Sequence, residues 1–177
     1  MHGESVLIKK FFVDLFLILA VVMLLYVRYI NITLYGVRPD ILLVFITLIA
    51  LFEGDSLHSI FLGFFGGLVM DFMSGSTPLG FNAGIYLLIG YVATAPHRLF
   101  NAESILASIL SLTGAFAIYV VLYLGFGYLF LSPEEMQGYF NMSVVYKYIY
   151  TLAISLILFP FFRSVYQFIS SVKKHDA

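Results

Sequence analysis

The chain has no cysteine and no tryptophan among its 177 residues, and only 11% of those residues are charged. Without cysteine there is no disulfide, no thiolate nucleophile and no cysteine-ligated metal centre. The formal net charge of -1 offers no basic surface for nucleic acid. Any aromatic belt at a membrane interface must consist of tyrosine and phenylalanine, of which there are 13 and 19.

The residues that are present are mostly apolar, since 62% of the chain is hydrophobic. A soluble domain of this length could not bury so much apolar surface, so a lipid bilayer is the expected solvent. We expect an all-α integral membrane protein in which residues 1–177 form a single polytopic domain, a bundle of six transmembrane helices. The predicted segments are 11–30, 40–52, 59–73, 79–95, 104–131 and 144–168.

The predicted segments differ in length. A bilayer core of about 30 Å requires about 20 helical residues, which the first, fifth and sixth segments supply. The second and third are short, so their ends must be shielded by protein or must continue through polar flanks. The first resembles a signal peptide, but its length and the lack of a cleavage site predict a retained helix. The positions of lysine and arginine predict that both termini are cytoplasmic.

Two features of the last third of the chain carry expectations of their own. Residues 132–140 open with Ser-Pro-Glu-Glu, a capping box with proline at the first helical position. This predicts a short amphipathic helix on the outer membrane surface, with a solvated loop as the alternative. Pro160 is expected to kink the last helix or to end it early, and Lys147 to extend its side chain to the interface.

Residues 63–80 carry the most informative pattern, a small-residue helix face followed by a carboxylate and a turn. Asp71 lies one turn beyond Gly67, near the end of the third segment. A carboxylate in lipid is costly, so it requires a partner or marks a functional site. We expect Arg38, Asp40 and Asp71 to form a buried polar clasp between the second and third segments. The alternative is that the same groups bind a ligand or a protein.

Small residues recur at four-residue spacing on two neighbouring segments. Ser59, Gly63 and Gly67 follow this spacing, and Gly80 and Gly84 repeat it in the fourth segment. Such faces let the backbones of membrane helices approach closely. We expect them to pack helices within the chain, and the alternative is an interface with another protein.

Catalytic and metal-binding patterns are weak. Glu53, Asp55 and His58 share the short loop after the second segment, but their spacing matches no metal signature, so a solvated acidic loop is expected. The four histidines lie in loops or at termini, and no Walker, HExxH or glycine-rich dinucleotide motif is present. We therefore predict a protein without enzymatic activity, cofactor or metal.

Three short motifs follow one another between residues 37 and 95. They are Arg38-Pro39-Asp40 before an apolar run, then Gly67-x-x-x-Asp71-x-x-Ser74-Gly75, then Pro78-Leu79-Gly80 before the next apolar segment. In this order and spacing they resemble the MreD family of bacterial rod shape-determining membrane proteins. The remainder of the chain is similar to the family only in hydropathy. The resemblance implies that Ser74, Gly75, Pro78 and Gly80 share the clasp or partner site.

The resemblance implies a non-enzymatic scaffold in the bacterial cytoplasmic membrane that helps to organise peptidoglycan synthesis and cell shape. The implied partners are membrane lipid and the transmembrane helix and adjacent region of MreC, with MreB, RodA and the elongation transpeptidase as further members of the complex. The implied fold is similar to the substrate-binding membrane subunits of energy-coupling-factor transporters. The alternative function is therefore a subunit that binds a vitamin or other small solute. The AxxxA pattern of such subunits is missing from the first segment, which favours the scaffold.

Overall fold

A computed structural model describes residues 37–74, 78–99, 104–130 and 142–175 of the chain. These residues form six α-helices. The predicted first segment and the predicted surface helix of 132–140 lie outside the described residues. The helices are α1 (Ile41–Glu53), α2 (Ser56–Ser74), α3 (Phe81–Val92), α4 (Ala95–Leu99), α5 (Ile105–Phe130) and α6 (Ser143–His175).

The short helix α1 lies at the centre of the described bundle. Every residue from Leu42 to Leu51 is buried, and α1 contacts α2, α3, α4, α5 and α6. Asp40 caps its start by accepting a hydrogen bond from the backbone N–H of Leu43 at 3.1 Å. Gly54 ends it with a φ of 65°, a left-handed conformation in which its N–H donates to the carbonyl of Ala50. These bounds agree with the predicted second segment.

Helix α2 begins earlier than predicted, because a polar side chain caps it. The carboxylate of Asp55 accepts hydrogen bonds from the N–H groups of Leu57 and His58 at 3.0 and 3.3 Å. The helix therefore has 19 residues. The third segment is longer than the predicted 59–73, because it continues through its polar flank, one of the two alternatives that the short apolar run left open. The polar flank that the sequence assigned to a loop is the first turn of the helix.

The last helix also differs from expectation. Helix α6 continues through Pro160 to His175, so an early end at the proline was a wrong prediction. Aromatic contacts hold both halves of α6 against α1. The ring of Phe159 lies 5.5 Å from that of Phe52, and the ring of Phe162 lies 5.2 Å from that of Phe45. Burial on both sides of the proline offsets the lost backbone hydrogen bond.

Three of the described helices are long and apolar enough to cross a membrane. The spans are Ser56–Met73, Ile105–Leu129 and Ser143–Gln167. Helices α1 and α3 are apolar but have only 13 and 12 residues. The described architecture is thus an all-helical membrane protein in which long helices surround a short buried one.

Candidate functional site

Helices α2 and α3 form an antiparallel hairpin whose backbones touch. Gly63 lies against the carbonyl of Tyr86, and a methyl group on Gly67 would lie 2.6 Å from the Cα of Ala83. Gly90 makes the same kind of contact with the backbone of Ser59. Close approach of small residues is how membrane helices gain packing energy without a hydrophobic driving force. The hairpin therefore places the end of α2 directly beside the start of α3.

Asp71 uses this proximity to cap α3. The N–H groups of Gly80 and Ala83 donate to Oδ2 at 2.9 and 3.2 Å, and the N–H and side-chain amide of Asn82 donate to Oδ1 at 2.9 and 2.8 Å. Asp71 is only 3% exposed. The residue in the cap position of α3, Gly80, has no side chain with which to do this. The carboxylate of one helix thus satisfies the free donors and the positive dipole end of the next.

Asp40 forms the second buried carboxylate site at the same end of the bundle. Its two oxygens each lie 2.7 Å from the hydroxyl of Tyr86, which donates to the carboxylate. The ammonium of Lys147 lies 3.2 Å from Oδ2. The backbone N–H of Asp40 donates to the hydroxyl of Thr151 at 3.0 Å. One residue therefore connects α1 with α3 and α6.

Lys147 extends these connections to α5. Its ammonium donates to the hydroxyl of Tyr119 at 3.1 Å and lies 4.5 Å from the centre of the same ring. The hydroxyl of Thr151 donates to the carbonyl of Lys147 at 2.7 Å. The lysine side chain is 19% exposed. A cation that is mostly removed from solvent is stable here because a carboxylate, a hydroxyl and an aromatic face surround it.

The two carboxylate sites are parts of one arrangement. Asn82 binds Asp71 and Tyr86 binds Asp40, and these two residues lie one turn apart on α3. We refer to Asp40, Asp71, Asn82, Tyr86 and Lys147 as the polar clasp. It joins α1, α2, α3 and α6, and through Tyr119 it reaches α5.

The composition of the clasp differs from the prediction in its cation. Arg38 was expected to pair with the carboxylates, but its side chain is exposed, and Lys147 contacts Asp40 instead. Lys147 is 107 positions further along the chain than Asp40, so proximity in sequence pointed to the wrong residue. The sequence did contain a sign of the correct cation, because Lys147 lies within an apolar helix. A lysine there requires a buried counter-charge unless its side chain reaches the membrane interface.

The other predicted site residues occupy several positions. Pro39 is half-buried before α1, and Pro78 accepts the N–H of Phe81 in the turn that precedes α3. Ser74 ends α2, and Gly75 lies outside the described residues. Gly80 has a φ of 95°, which favours glycine. Gly84 was expected at a helix contact, but a methyl group there would meet nothing within 4 Å. Gly90, which the spacing did not single out, makes that contact.

The opposite end of the bundle holds His58 and His97. Nε2 of His58 lies 3.6 Å from Oε2 of Glu53, and Nδ1 of His97 lies 2.7 Å from the carbonyl of Leu51 at the end of α1. Glu53 and His58 are largely buried, so the solvated acidic loop was a wrong expectation for both residues. Within the described ranges, no three histidine or acidic side chains are grouped to hold a metal ion.

Comparison with known proteins gives one match. The model of the family described as rod shape-determining protein MreD matches residues 6–169. No curated protein and no solved structure matches the chain significantly. The family match covers most of the chain, including every residue of the clasp. The chain therefore belongs to the MreD family of rod shape-determining membrane proteins.

Proposed function

We propose that this chain is a non-enzymatic scaffold of the bacterial elongation complex, and that it binds MreC and helps to organise peptidoglycan synthesis. The family match over residues 6–169 is the observation that carries the proposal. We further propose a six-span arrangement in the cytoplasmic membrane with both termini inside. MreB, RodA and the elongation transpeptidase are the other proposed members of the complex.

The polar clasp supports a scaffold in preference to a solute-binding subunit. The oxygens of Asp40 and Asp71 already accept hydrogen bonds from the protein's own donors. A solute that used these carboxylates would have to displace buried donors, each of which costs about 1–3 kcal/mol when left unsatisfied. Groups arranged in this way hold helices in fixed positions, which is what a platform for a partner's helix requires.

Affinity purification from the native host tests the proposal. The chain is tagged, extracted in mild detergent and analysed by mass spectrometry, in parallel with Lys147→Met and Arg38→Met variants. We expect near-stoichiometric MreC with the unmodified chain and with Arg38→Met, and less recovered complex with Lys147→Met because the clasp is weakened. Recovery of an ATPase pair and a coupling subunit without MreC would instead assign the chain to a transporter.

A further inference from the structure

Buried hydroxyl side chains line the three helices that meet around Lys147. Helix α1 carries one, α5 carries two and α6 carries two, and none is more than 3% exposed. They are Thr47, Ser108, Ser111, Thr151 and Ser155. We call these five residues the hydroxyl seam. Hydroxyls inside a membrane bundle require hydrogen-bond partners, since lipid supplies none.

The two serines of α5 lack such partners. The hydroxyls of Ser108 and Ser111 are buried and have no hydrogen-bond partner among the described residues. The threonines of the seam differ, because Thr47 and Thr151 each donate to the carbonyl four residues earlier in their own helix. A buried hydroxyl that lacks a partner is costly, and proteins commonly satisfy such groups with bound water.

The spacing of the two serines suits a bridging water. Ser108 and Ser111 are three residues apart on α5, so their side chains are neighbours about 5–6 Å apart. One water that makes two hydrogen bonds of about 2.8 Å spans this distance. Ala107 and Ala115 are buried beside the serines, and their small side chains leave more room than leucine or phenylalanine would. The α5 part of the seam therefore fits water in both polarity and spacing.

The α1 and α6 parts of the seam begin at the polar clasp. The hydroxyl of Thr151 accepts the backbone N–H of Asp40, and Ser155 lies one turn further along α6. Thr47 lies about two turns from Asp40 along α1. Helices α1 and α6 run in the same direction, because their starts are in contact and their ends are in contact. Both helices therefore carry hydroxyls away from the clasp.

The α5 part reaches the opposite end of the bundle, which holds His97. Helix α5 is antiparallel to α3, because rings at the start of α3 pack on Tyr119 and Tyr123. Its start therefore lies at the end of α3 that leads to His97. Ser108 shares the face of Tyr119, 11 residues away, and lies one turn from Ser104, which is exposed. The seam thus ends one turn from an exposed hydroxyl.

We propose that the hydroxyl seam binds a chain of water molecules that leads from the His97 end of the bundle to the polar clasp. Ser155, Thr47 and Ser108 lie at heights of about 6, 10 and 16 Å from the clasp, so each step is about one turn or less. One or two waters bridge such a step. The chain gives the two serines their missing partners and brings the ammonium of Lys147 into contact with the aqueous phase at one end. This role is separate from the binding of MreC.

Radiolytic labelling of the unmodified chain in lipid nanodiscs tests for the water. An X-ray pulse converts bound water to hydroxyl radicals, which oxidise the side chains beside it. Leu112 lies next to the two serines and is 1% exposed, whereas Leu42 is 3% exposed and faces Gly66 of α2. We expect Leu112 to be oxidised at least tenfold faster than Leu42. Equal rates for these two buried leucines would overturn the proposal.

Silver ions test whether the seam is continuous. The chain has no cysteine, and silver binds a thiolate, which forms only where water is present. Ser108→Cys and Ser155→Cys should therefore react at least tenfold faster than Ser59→Cys, a fully buried serine whose hydroxyl donates to the carbonyl of Asp55. The unreacted thiol is counted with a maleimide after denaturation. Rates equal to that of Ser59→Cys would overturn the proposal, and a reactive Ser108→Cys with an unreactive Ser155→Cys would overturn the connection to the clasp.

Blocking the seam gives an independent readout. Ser108→Val should slow the reaction of Ser155→Cys with silver at least tenfold, because it replaces the hydroxyl with an apolar group. Gly84→Val is the control, since its side chain extends into open space on α3, and it should leave the rate unchanged. A misfolded variant would react faster, so slowing cannot result from lost structure. An unchanged rate in Ser108→Val would overturn the proposal. Recovery of MreC is measured separately, so failure of the seam and failure of the scaffold function are distinguishable.

Discussion

Asp71 lies on α2, but its carboxylate caps the start of α3. A helix usually obtains its cap from the residue that precedes it, but α3 is preceded by Gly80, which is in the left-handed conformation that the turn requires. The carboxylate on α2 supplies the missing acceptor. The glycine that makes the turn and the aspartate that caps the helix therefore act together, although they are nine positions apart in the sequence.

Replacement of Asp71 by alanine should destabilise the protein strongly. Three backbone N–H groups at the start of α3 would lose their acceptor in a buried site, and we expect the free energy of unfolding to fall by about 2–4 kcal/mol. Asp71→Asn keeps one acceptor oxygen, so its free energy of unfolding should fall by about half as much as that of Asp71→Ala. Thermal unfolding in detergent measures both effects.

Asp55→Ala is the matched control for this prediction, since Asp55 is an exposed carboxylate that caps α2. Its loss should cost about 1 kcal/mol. Should Asp71→Ala prove no more damaging than Asp55→Ala, the cap between helices contributes little and Asp71 has another role.

Lys147 and Arg38 should differ sharply in how much they contribute to the stability of the protein. Lys147→Met keeps the apolar stem but leaves Asp40 without its counter-charge, and we expect a loss of about 3 kcal/mol. Arg38→Met removes an exposed charge and should change stability by less than about 0.5 kcal/mol. Urea or thermal unfolding of the two variants makes the comparison, and an equal or larger effect at Arg38 would restore the pairing that the sequence suggested.

At the scale of the elements, the α2–α3 hairpin depends on backbone contact at its glycines. Gly67→Ala would place a methyl group against the backbone of Asn82 and Ala83, which cannot move aside as a flexible side chain would. We expect a loss of about 2–3 kcal/mol from forced separation of the helices. The measurement is the thermal unfolding midpoint together with the yield of folded protein.

Gly84→Ala is the matched control for the hairpin, because its methyl group would extend into open space within the same helix pair. Alanine favours a helix over glycine by up to about 1 kcal/mol, so this variant should be neutral or slightly more stable. If Gly67→Ala and Gly84→Ala lower the stability equally, close backbone contact at Gly67 is not the cause of the loss, because Gly84 has no such contact.

The elements that the sequence predicts well are those whose ends carry local signals. Asp40 and Gly54 mark the two ends of α1, and both are readable as a cap and a stop. The start of α2 was placed too late, because Asp55 was assigned to a loop and not to a cap. The early end at Pro160 was a wrong prediction, because a local helix breaker does not reveal the aromatic contacts with α1 on either side of the proline.

The contacts of the clasp are the part of the structure that local sequence signals do not predict. Asp71 is recognisable as a buried carboxylate that needs partners, but the identity of those partners depends on which helices pack together. Tyr86 is one of 13 tyrosines, and no spacing marks it as the donor to Asp40. The contact between Lys147 and Asp40 depends on how α6 packs against α1, which hydrophobic periodicity does not specify.

At the scale of the whole molecule, the proposed topology places the clasp at the outer face and His97 at the cytoplasmic face. Leu79 and Leu99 are exposed at these opposite ends. We expect Leu79→Cys to react with a membrane-impermeant maleimide in intact spheroplasts, and Leu99→Cys to react only after permeabilisation. The unmodified chain has no cysteine and serves as the blank. The reverse pattern would invert the assignment of inside and outside.

The burial of α1 has a consequence for how the protein responds to its membrane. A helix that meets lipid must match the thickness of the hydrocarbon layer or tilt until it does. The residues from Leu42 to Leu51 are all covered by protein, so the length of α1 is independent of the bilayer. Changes in acyl-chain length should therefore change the tilt of α2, α5 and α6, whereas the length of the buried α1 stays the same.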